Sequence, residues 1–147
     1  MSADISVLLV DDHAIVREGY KRLLERSPDV NVASEAADAA QAYQKFCALQ
    51  PDVVVMDLAL PGASGIEAMR RMLAREPNAH VLIFSMHEEA IFVRRALDAG
   101  ARGYVTKASA PDTPCIERNG VEVLPQLVMQ LTREMTALRL LRADGLR

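Results

Sequence analysis

Short apolar runs alternate with segments of helical periodicity over the first 110 residues of the chain. The clearest run, Val53 to Met56, is rich in β-branched side chains and is typical of a strand buried on both faces of a parallel sheet. Other runs have the same character, and polar or turn-forming residues follow them. The predicted strands are 5–10, 30–33, 53–56, 80–84 and 103–106.

The segments between these strands carry apolar residues at three- and four-residue spacing, which is the period of an amphipathic helix. The first predicted helix begins at Ala14 and ends at Ser27-Pro28, and the others span 37–49, 66–75 and 89–99. We expect one face of each helix to pack on the sheet. The residues predicted to face inward in the first three helices are Ile15, Val16, Tyr20, Leu23 and Leu24; Ala39, Tyr43, Phe46 and Leu49; and Ile66, Met69, Met72 and Leu73.

Strands that alternate with helices predict βαβ units, whose right-handed crossovers produce a parallel sheet with helices on both faces. A chain of 147 residues is long enough for one such domain with a full core. We therefore expect an α/β fold with a doubly wound parallel sheet of five strands. In a sheet of this kind the strands end at one edge, and ligands bind there.

Chemically useful side chains follow several of the predicted strands. Asp11 and Asp12 follow the first strand, Asp57 the third, Ser85 the fourth and Lys107 the fifth. Taken alone, each is better explained as a helix cap, a turn residue or a solvated charge. Because the strand ends share one edge, we expect the carboxylates, the hydroxyl and the ammonium group to lie together. Their shared position favours a functional site.

Clustered carboxylates repel one another and invite a hard divalent cation with oxygen ligands, such as Mg²⁺. Asp57 can then act as a nucleophile toward phosphorus and form an aspartyl phosphate. Lys107 and the cation would neutralise charge, and Ser85 would donate a hydrogen bond to a phosphoryl oxygen. His13 stands beside the acids without a visible partner, and we interpret it as a surface residue at the start of a helix.

The same segments resemble the receiver domains of two-component response regulators. The matching segments, which read VLLVDDH, VMDLALPG, FS and GYVTK, are 7–13, 55–62, 84–85 and 103–107. The resemblance spans residues 5 to about 112 and implies the flavodoxin-like strand order 2-1-3-4-5. The stretches 11–19 and 103–108 are similar to the NarL/FixJ type, whose members usually carry a C-terminal helix-turn-helix for DNA.

The resemblance implies a phosphorylation site with bound Mg²⁺. Asp57 is the implied phosphoacceptor, and Asp11 and Asp12 are the implied acidic pair that binds the metal. The backbone carbonyl of Ala59 is implied as a further metal ligand, and Lys107 is implied to contact the phosphoryl group.

The resemblance also implies a switch and a partner. Ser85 and Tyr104 match the hydroxyl and aromatic positions that change together on activation. The implied phosphoryl donor is a histidine kinase. Phosphorylation is implied to switch a protein-interaction surface, and the implied output is the regulation of transcription. The chain would then be a switch with slow self-dephosphorylation, and it would not be an enzyme.

Composition and charge bear on the partners and the cellular location expected for the protein. The net charge of −3 argues against binding nucleic acid by charge alone. Cys47 and Cys115 have neither metal-ligand spacing nor a disulfide framework, which favours a reduced, cytoplasmic protein. We find neither a signal peptide pattern nor a long apolar segment, so a membrane location is not expected.

The C-terminal part of the sequence departs from the NarL/FixJ pattern. Residues 112–120 reach a glycine early and contain Pro114, which predicts a shortened or absent fifth helix. Residues 125–142 read as one helix that resembles the first helix of the DNA-binding domain. We therefore expect a receiver at 1–120 and a helical remnant of the output domain at 121–147, and we do not expect this chain to bind DNA.

The C-terminal helix has two alternative roles. Apolar residues follow a heptad seam of about two repeats, which favours a homodimer through this helix. The alternative is that the helix folds back on its own domain, where it would replace the fifth helix. The seam residues are Leu124, Val128, Leu131, Met135 and Leu138.

Two other functions compete with the phosphorylated receiver. One is a pseudo-receiver that acts as a protein-interaction scaffold without phosphoryl transfer, which the intact acidic site argues against. The other is a Mg²⁺-dependent phosphatase of the aspartyl-phosphate kind. Such enzymes resemble this chain but carry a second Asp two residues after the first, where this sequence has Ala59.

Overall fold

The structure is a computed structural model, and it describes residues 5–25, 28, 30–62, 64–87 and 89–106. Lys107, the fifth-helix region at 112–120 and the helix predicted over 125–142 lie outside the described residues. The division into a receiver at 1–120 and a C-terminal helix at 121–147 therefore stays a prediction.

The described residues contain one parallel sheet with the strand order β2-β1-β3-β4-β5. The α/β fold class and the order 2-1-3-4-5 predicted for it are both confirmed. Its central strands β3 and β4 are buried along their whole length, as the unbroken apolar runs indicated. The strands are β1 Ile5–Val10, β2 Val30–Ala36, β3 Val53–Met56, β4 His80–Ser85 and β5 Gly103–Thr106.

The register of the sheet brings the carboxyl ends of its strands to one level. Val10 of β1 pairs with Ala36 of β2 and with Met56 of β3. Met56 pairs with Ile83 of β4, which pairs in turn with Tyr104 of β5. The residues that follow these positions therefore meet along the same edge.

Helices cover both faces of the sheet and enclose a hydrophobic cluster on each face. Leu24 of the first helix packs with one set of strand residues, whereas Phe46, Met69 and Ala96 of the other three pack with the opposite set. This two-faced core is the physical reason for the continuous apolar strands. The helices in the described part of the chain are α1 Ala14–Leu24, α2 Ala39–Leu49, α3 Gly65–Arg75 and α4 Ala90–Asp98.

Several predicted boundaries were wrong by one to three residues, including the end of α1 and both ends of α4, and three others have a clear physical cause. β2 continues to Ala36, three residues beyond its predicted end, because an edge strand tolerates the polar residues in its last part. α2 begins after Asp38, whose carboxylate accepts a hydrogen bond from the Gln41 amide at 2.8 Å. α3 begins one residue early, after Ser64, whose hydroxyl accepts from the Glu67 amide at 3.2 Å. Both side chains cap their helices in the usual way.

Two residues predicted to face inward are exposed. Ile15 in the first turn of α1 is 88% exposed, and Leu49 at the last position of α2 is 46% exposed. Both lie at the end of a helix, where the chain leaves the sheet. Helical periodicity identifies the buried face of a helix, but it does not show how far the sheet extends beneath its ends. None of the helices in the described ranges is long and apolar enough to cross a bilayer.

Candidate functional site

Asp57 directly follows the last residue of β3 and is buried. The residue is 6% exposed, and its amide donates a 3.0 Å hydrogen bond to the Val10 carbonyl of the neighbouring strand β1. Its carboxylate oxygen Oδ1 accepts a 3.1 Å hydrogen bond from the Ala59 amide, which holds the start of the following loop. The strand end and the loop together fix the position of this carboxylate.

Asp11 and Asp12 leave the adjacent strand β1 at the same level. Asp11 is 2% exposed, and its amide donates to the Ala36 carbonyl of β2 at 3.0 Å. Asp12 is more accessible to solvent. Asp57 donates its amide to Val10, the residue just before Asp11, so the β1–β3 register places the Asp57 backbone beside the start of the acidic pair.

His13 is an exposed residue just before α1, as interpreted from the sequence, but it has partners that the sequence did not reveal. Its Nδ1 atom lies 3.2 Å from Oδ1 of Asp11 and 2.9 Å from Oδ1 of Asp12. The cause is a local turn, in which the Asp11 carboxylate accepts the His13 amide at 2.9 Å. The sequence carried a signal for this turn, since an Asp side chain commonly accepts a hydrogen bond from the backbone amide two residues further on.

The donor atoms at this edge suit a metal ion. One ligand atom from each of Asp11, Asp12 and His13 lies within 4.8 Å of the other two. Carboxylate oxygens are the ligands that Mg²⁺ prefers, and the buried charge of Asp11 and Asp57 calls for a cation nearby. The residues present therefore fit the predicted ion.

The next strand end brings a hydroxyl to the same edge. Ser85 at the end of β4 is fully buried, and its Oγ accepts a 3.1 Å hydrogen bond from the His87 amide. The Tyr104 hydroxyl of β5 donates a 2.6 Å hydrogen bond to the His87 carbonyl. The connection between β4 and α4 is thus held by Ser85 from one strand and by Tyr104 from the next.

The pKa of Tyr104 reflects this position. Burial raises it above its ordinary value of 10.0, and a hydrogen bond with Ser85 acts in the opposite direction. The negative charges of Glu89 and Asp57 also raise the pKa, because each of them disfavours a phenolate. The charge of Asp57 therefore acts on Tyr104, and Tyr104 also contacts the β4–α4 connection.

Two residues at the site escaped the sequence analysis. Gly65 opens α3 and comes so close to the β3 end that a Cβ atom there would lie 2.3 Å from the Asp57 carbonyl oxygen. Arg17 of α1 donates from Nη1 to the Asp11 carbonyl at 2.6 Å. A glycine in a turn and an arginine on a helix are too common to signal such roles, and tertiary contacts alone reveal them.

The structure places most of the predicted site residues at one edge of the sheet. Asp11, Asp12 and Asp57 lie at the ends of β1 and β3, and Ala59 follows Asp57 in the adjoining loop. Ser85 and Tyr104 lie on β4 and β5 and share the His87 backbone. Lys107 is outside the described residues.

Comparison with known proteins identifies the family. The family model described as the response regulator receiver domain matches residues 7–115, which is most of the chain. This chain belongs to the response regulator receiver family. The receivers of that family bind Mg²⁺ at an acidic pocket, and in this receiver Asp11, Asp12 and His13 lie together at the corresponding edge.

Individual relatives place the receiver near the NarL and LuxR types. It is 31% identical over 135 residues to the transcriptional regulatory protein DegU of Brevibacillus brevis, which covers 88% of this chain and 57% of DegU. A two-component response regulator of the LuxR family from Aurantimonas sp. SI85-9A1 superposes with a TM-score of 0.71 at 44% identity, covering 90% of this chain and 99% of that one.

The receiver domain of the response regulator NarL from Mycobacterium tuberculosis superposes with a TM-score of 0.72 at 32% identity. That match covers 86% of this chain and 95% of the NarL domain. The receiver thus matches isolated receiver structures over nearly their whole length, whereas it spans 57% of full-length DegU. The resemblance to the NarL/FixJ type stated from the sequence is confirmed.

Proposed function

We propose that this receiver is a two-component response regulator in which Asp57 accepts a phosphoryl group from a histidine kinase. The observation that carries the proposal is that buried Asp57 ends β3 beside the end of β1, where the Asp11–Asp12 pair follows directly. A buried carboxylate beside others is costly unless it serves a cation or a reaction. Membership of the receiver family gives the reaction: phosphoryl transfer to a carboxylate.

In the proposed transfer a carboxylate oxygen of Asp57 forms the new bond to phosphorus as the bond from phosphorus to the donor imidazole nitrogen breaks. The electron pair of the broken bond stays on that nitrogen, which then takes a proton from solvent. Asp57 needs no base to activate it, because a carboxylate already carries the attacking electron pair. The hydrogen bond from the Ala59 amide orients the side chain for this attack.

We assign the metal ligands to Asp11, Asp12, Asp57 and the backbone carbonyl of Ala59. Mg²⁺ bound there would neutralise the charge that develops on the phosphoryl oxygens. The ordered turns at Asp11 and Asp57 support this assignment, because each carboxylate is held by a backbone amide. Lys107 follows β5 directly, and we propose that it contacts the phosphoryl group from the other side.

We propose that Ser85 and Tyr104 form the switch. New acceptor oxygens and added negative charge at Asp57 would attract the Ser85 hydroxyl, which now accepts from the His87 amide. Tyr104 bonds to the carbonyl of the same residue, so a change at Ser85 reaches Tyr104 through one shared backbone segment. The surface of α4 and β5 would change as a result.

The protein partners follow from this assignment. We propose a cytoplasmic receiver that takes its phosphoryl group from a histidine kinase. We also propose that it regulates transcription, the role that the name of the relative DegU gives for that protein. We also propose a homodimer through the apolar seam predicted in residues 124–138. We do not expect residues 121–147 to bind DNA alone, because their sequence supplies one helix of a helix-turn-helix.

The phosphatase alternative is less well supported. Its second acid would fall two residues after Asp57, at exposed Ala59, where the side chain is a methyl group. We therefore propose a phosphoacceptor with at most slow self-dephosphorylation.

Intact mass after incubation with acetyl phosphate and Mg²⁺ tests the proposal. The wild type should gain one phosphoryl group, and Asp57→Asn should not, because an amide lacks the nucleophilic charge. Asp98→Asn is the matched control, since it removes an exposed acid from the end of α4. An unmodified wild type, or an Asp57→Asn protein that gains the same mass, would contradict the proposal.

A further inference from the structure

Arg17 joins the acidic loop to the neighbouring edge strand. Its Nη1 donates to the Asp11 carbonyl at 2.6 Å, and its Nε donates to Oε1 of Glu35 at 3.0 Å. The Arg17 side chain is 17% exposed, so this is a largely enclosed contact in which both acceptors are met by one rigid fork. Such a pair is unlike the exposed Arg22–Glu18 pair on the same helix.

The hydrogen bond from Arg17 is one of several that hold Asp11 in place. The amide of Asp11 donates to the Ala36 carbonyl at 3.0 Å, and its Oδ1 accepts the His13 amide at 2.9 Å. Arg17 binds the other backbone polar group of Asp11, its carbonyl oxygen. That carbonyl belongs to the peptide plane between Asp11 and Asp12, whose orientation sets the directions of both side chains because the backbone turns only about its φ and ψ angles.

The restraint is itself anchored from a second helix. Lys45 of α2 donates to the backbone carbonyl of Glu35, the residue whose side chain accepts from Arg17. Polar contacts thus run from α2 through β2 and α1 to the acidic loop after β1. None of them touches the reacting groups, so they act on the site through Asp11.

We propose that Arg17 is a positioning residue that fixes the Asp11–Asp12 peptide for metal binding, with Glu35 as its anchor. The inference rests on the proposed function, in which these two aspartates bind Mg²⁺. Residues that hydrogen-bond to metal ligands in this way set the affinity of a metal site by orienting those ligands.

The charge of Arg17 and its positioning role have opposite effects on metal affinity. A guanidinium near the acidic pair repels Mg²⁺, so removing it would strengthen binding if Arg17 acted through charge alone. If Arg17 acts by holding the peptide plane, removing it frees the Asp11–Asp12 segment, and binding weakens. The sign of the change therefore separates the two roles.

Titration with MgCl₂, followed by amide chemical shifts of ¹⁵N-labelled protein, measures the effect. Arg17→Ala should raise the Kd for Mg²⁺ by about 10-fold or more, the loss typical when a residue that orients a metal ligand is removed. Arg22→Ala is the matched control, since it removes an exposed arginine from the same helix and should leave the Kd unchanged. Equal or tighter binding by Arg17→Ala would overturn the inference.

A second pair of variants guards against a folding defect in Arg17→Ala. Arg17→Lys keeps the charge but cannot reach both acceptors with one planar fork, so it should weaken Mg²⁺ binding less than Arg17→Ala does. Glu35→Ala should also weaken Mg²⁺ binding. The double variant should bind no more weakly than Arg17→Ala, because both substitutions remove the same contact between Arg17 and Glu35. Wild-type affinity in Arg17→Lys and Glu35→Ala together would overturn the inference.

The outcome is separable from that of the proposed function. A wild type that neither binds Mg²⁺ nor accepts a phosphoryl group refutes the proposed function, and the positioning role falls with it. A wild type that does both, with Arg17→Ala binding Mg²⁺ equally well, refutes the positioning role alone.

Discussion

Gly65 lies where the first turn of α3 passes closest to the end of β3. A Cβ atom at this position would lie 2.3 Å from the Asp57 carbonyl oxygen and 2.9 Å from the Leu58 Cα. The amide of Gly65 also donates to the Leu58 carbonyl at 2.8 Å, which keeps the two segments together. Both neighbouring atoms are backbone, so neither can move aside without displacing the proposed phosphoacceptor.

Gly65→Ala should therefore destabilise the protein by about 1–3 kcal/mol, the usual cost of forcing atoms into a packed site. The control is Gly19→Ala in α1, where an added Cβ meets nothing within 4 Å. That change should raise stability by about 0.5–1 kcal/mol, since alanine favours a helix. Urea unfolding measures both, and a Gly65→Ala protein as stable as the wild type would show that the close approach is wrong.

At the residue scale the sequence predicted which polar side chains lie at this edge of the sheet but not which atoms they contact. The positions of Asp11, Asp12, Asp57 and Ser85 were predictable because each lies at or just after the end of a strand, and parallel strand ends share an edge. The Asp12 contact of His13 and the two acceptors of Arg17 depend on side-chain conformations, which periodicity and spacing do not specify. Gly65 was missed for a similar reason, since its role depends on a distance between two segments.

Between elements, the connection from β4 to α4 is the part most directly tied to the site. Tyr104 of β5 donates to the His87 carbonyl, and the His87 ring stacks on Phe92 of α4 with centroids 4.4 Å apart. Ser85 accepts the amide of the same residue. A single loop residue thus contacts β4, β5 and α4, which is why we expect the switch to act here.

The raised pKa of Tyr104 predicts a pH dependence of stability. In the unfolded chain the phenol ionises near its ordinary value of 10.0, whereas the folded protein keeps the proton to higher pH. The contribution is fully present below pH 10.0 and is lost as the pH rises through the folded-state value, because the unfolded state then binds fewer protons. Stability should therefore fall with increasing pH in the alkaline range.

Urea unfolding at a series of pH values tests this dependence. The stability of Tyr104→Phe should fall less steeply above pH 10.0 than that of the wild type. At neutral pH the variant should be less stable than the wild type, because it lacks the hydrogen bond to His87. Tyr43→Phe, which leaves Tyr104 in place, should keep the wild-type slope. Equal slopes for the wild type and Tyr104→Phe would contradict the assignment.

The elements themselves were largely predictable. β3 and β4 are buried on both faces, so their apolar runs gave their positions correctly. β2 is at the edge of the sheet, where alternating and polar residues are tolerated, and its end was placed too early. The helix starts at Asp38 and Ser64 were missed by one or two residues because caps lie outside the apolar period.

For the whole molecule, we propose a dimer that forms through the C-terminal helix. It rests on the heptad seam in residues 124–138, which lie outside the described residues. Sedimentation of the full chain should show a dimer at high micromolar concentration. The double variant Leu131→Lys/Met135→Lys should be monomeric because it places charges in the seam, whereas Thr132→Lys, off the seam, should remain dimeric. A monomeric wild type would contradict the dimer.

The strand order and the location of the site were both predictable at this scale. Alternating strands and helices predict a parallel sheet, and the order β2-β1-β3-β4-β5 agrees with the order implied by the resemblance to receivers. The ligand-binding edge follows from that topology, since the strand ends meet there. The C-terminal region was not predictable to the same degree, because two heptads are too few to choose between dimerisation and packing on the receiver.

Reduction with borohydride shows whether Asp57 itself accepts the phosphoryl group. Borohydride reduces an acyl phosphate to the alcohol, so a phosphorylated aspartate becomes homoserine, which tandem mass spectrometry locates in the sequence. After treatment with acetyl phosphate and Mg²⁺, we predict homoserine at position 57, and none when the metal is chelated. Homoserine at Asp11 or Asp12 instead, or a phosphorylated protein with aspartate intact at position 57, would contradict the account.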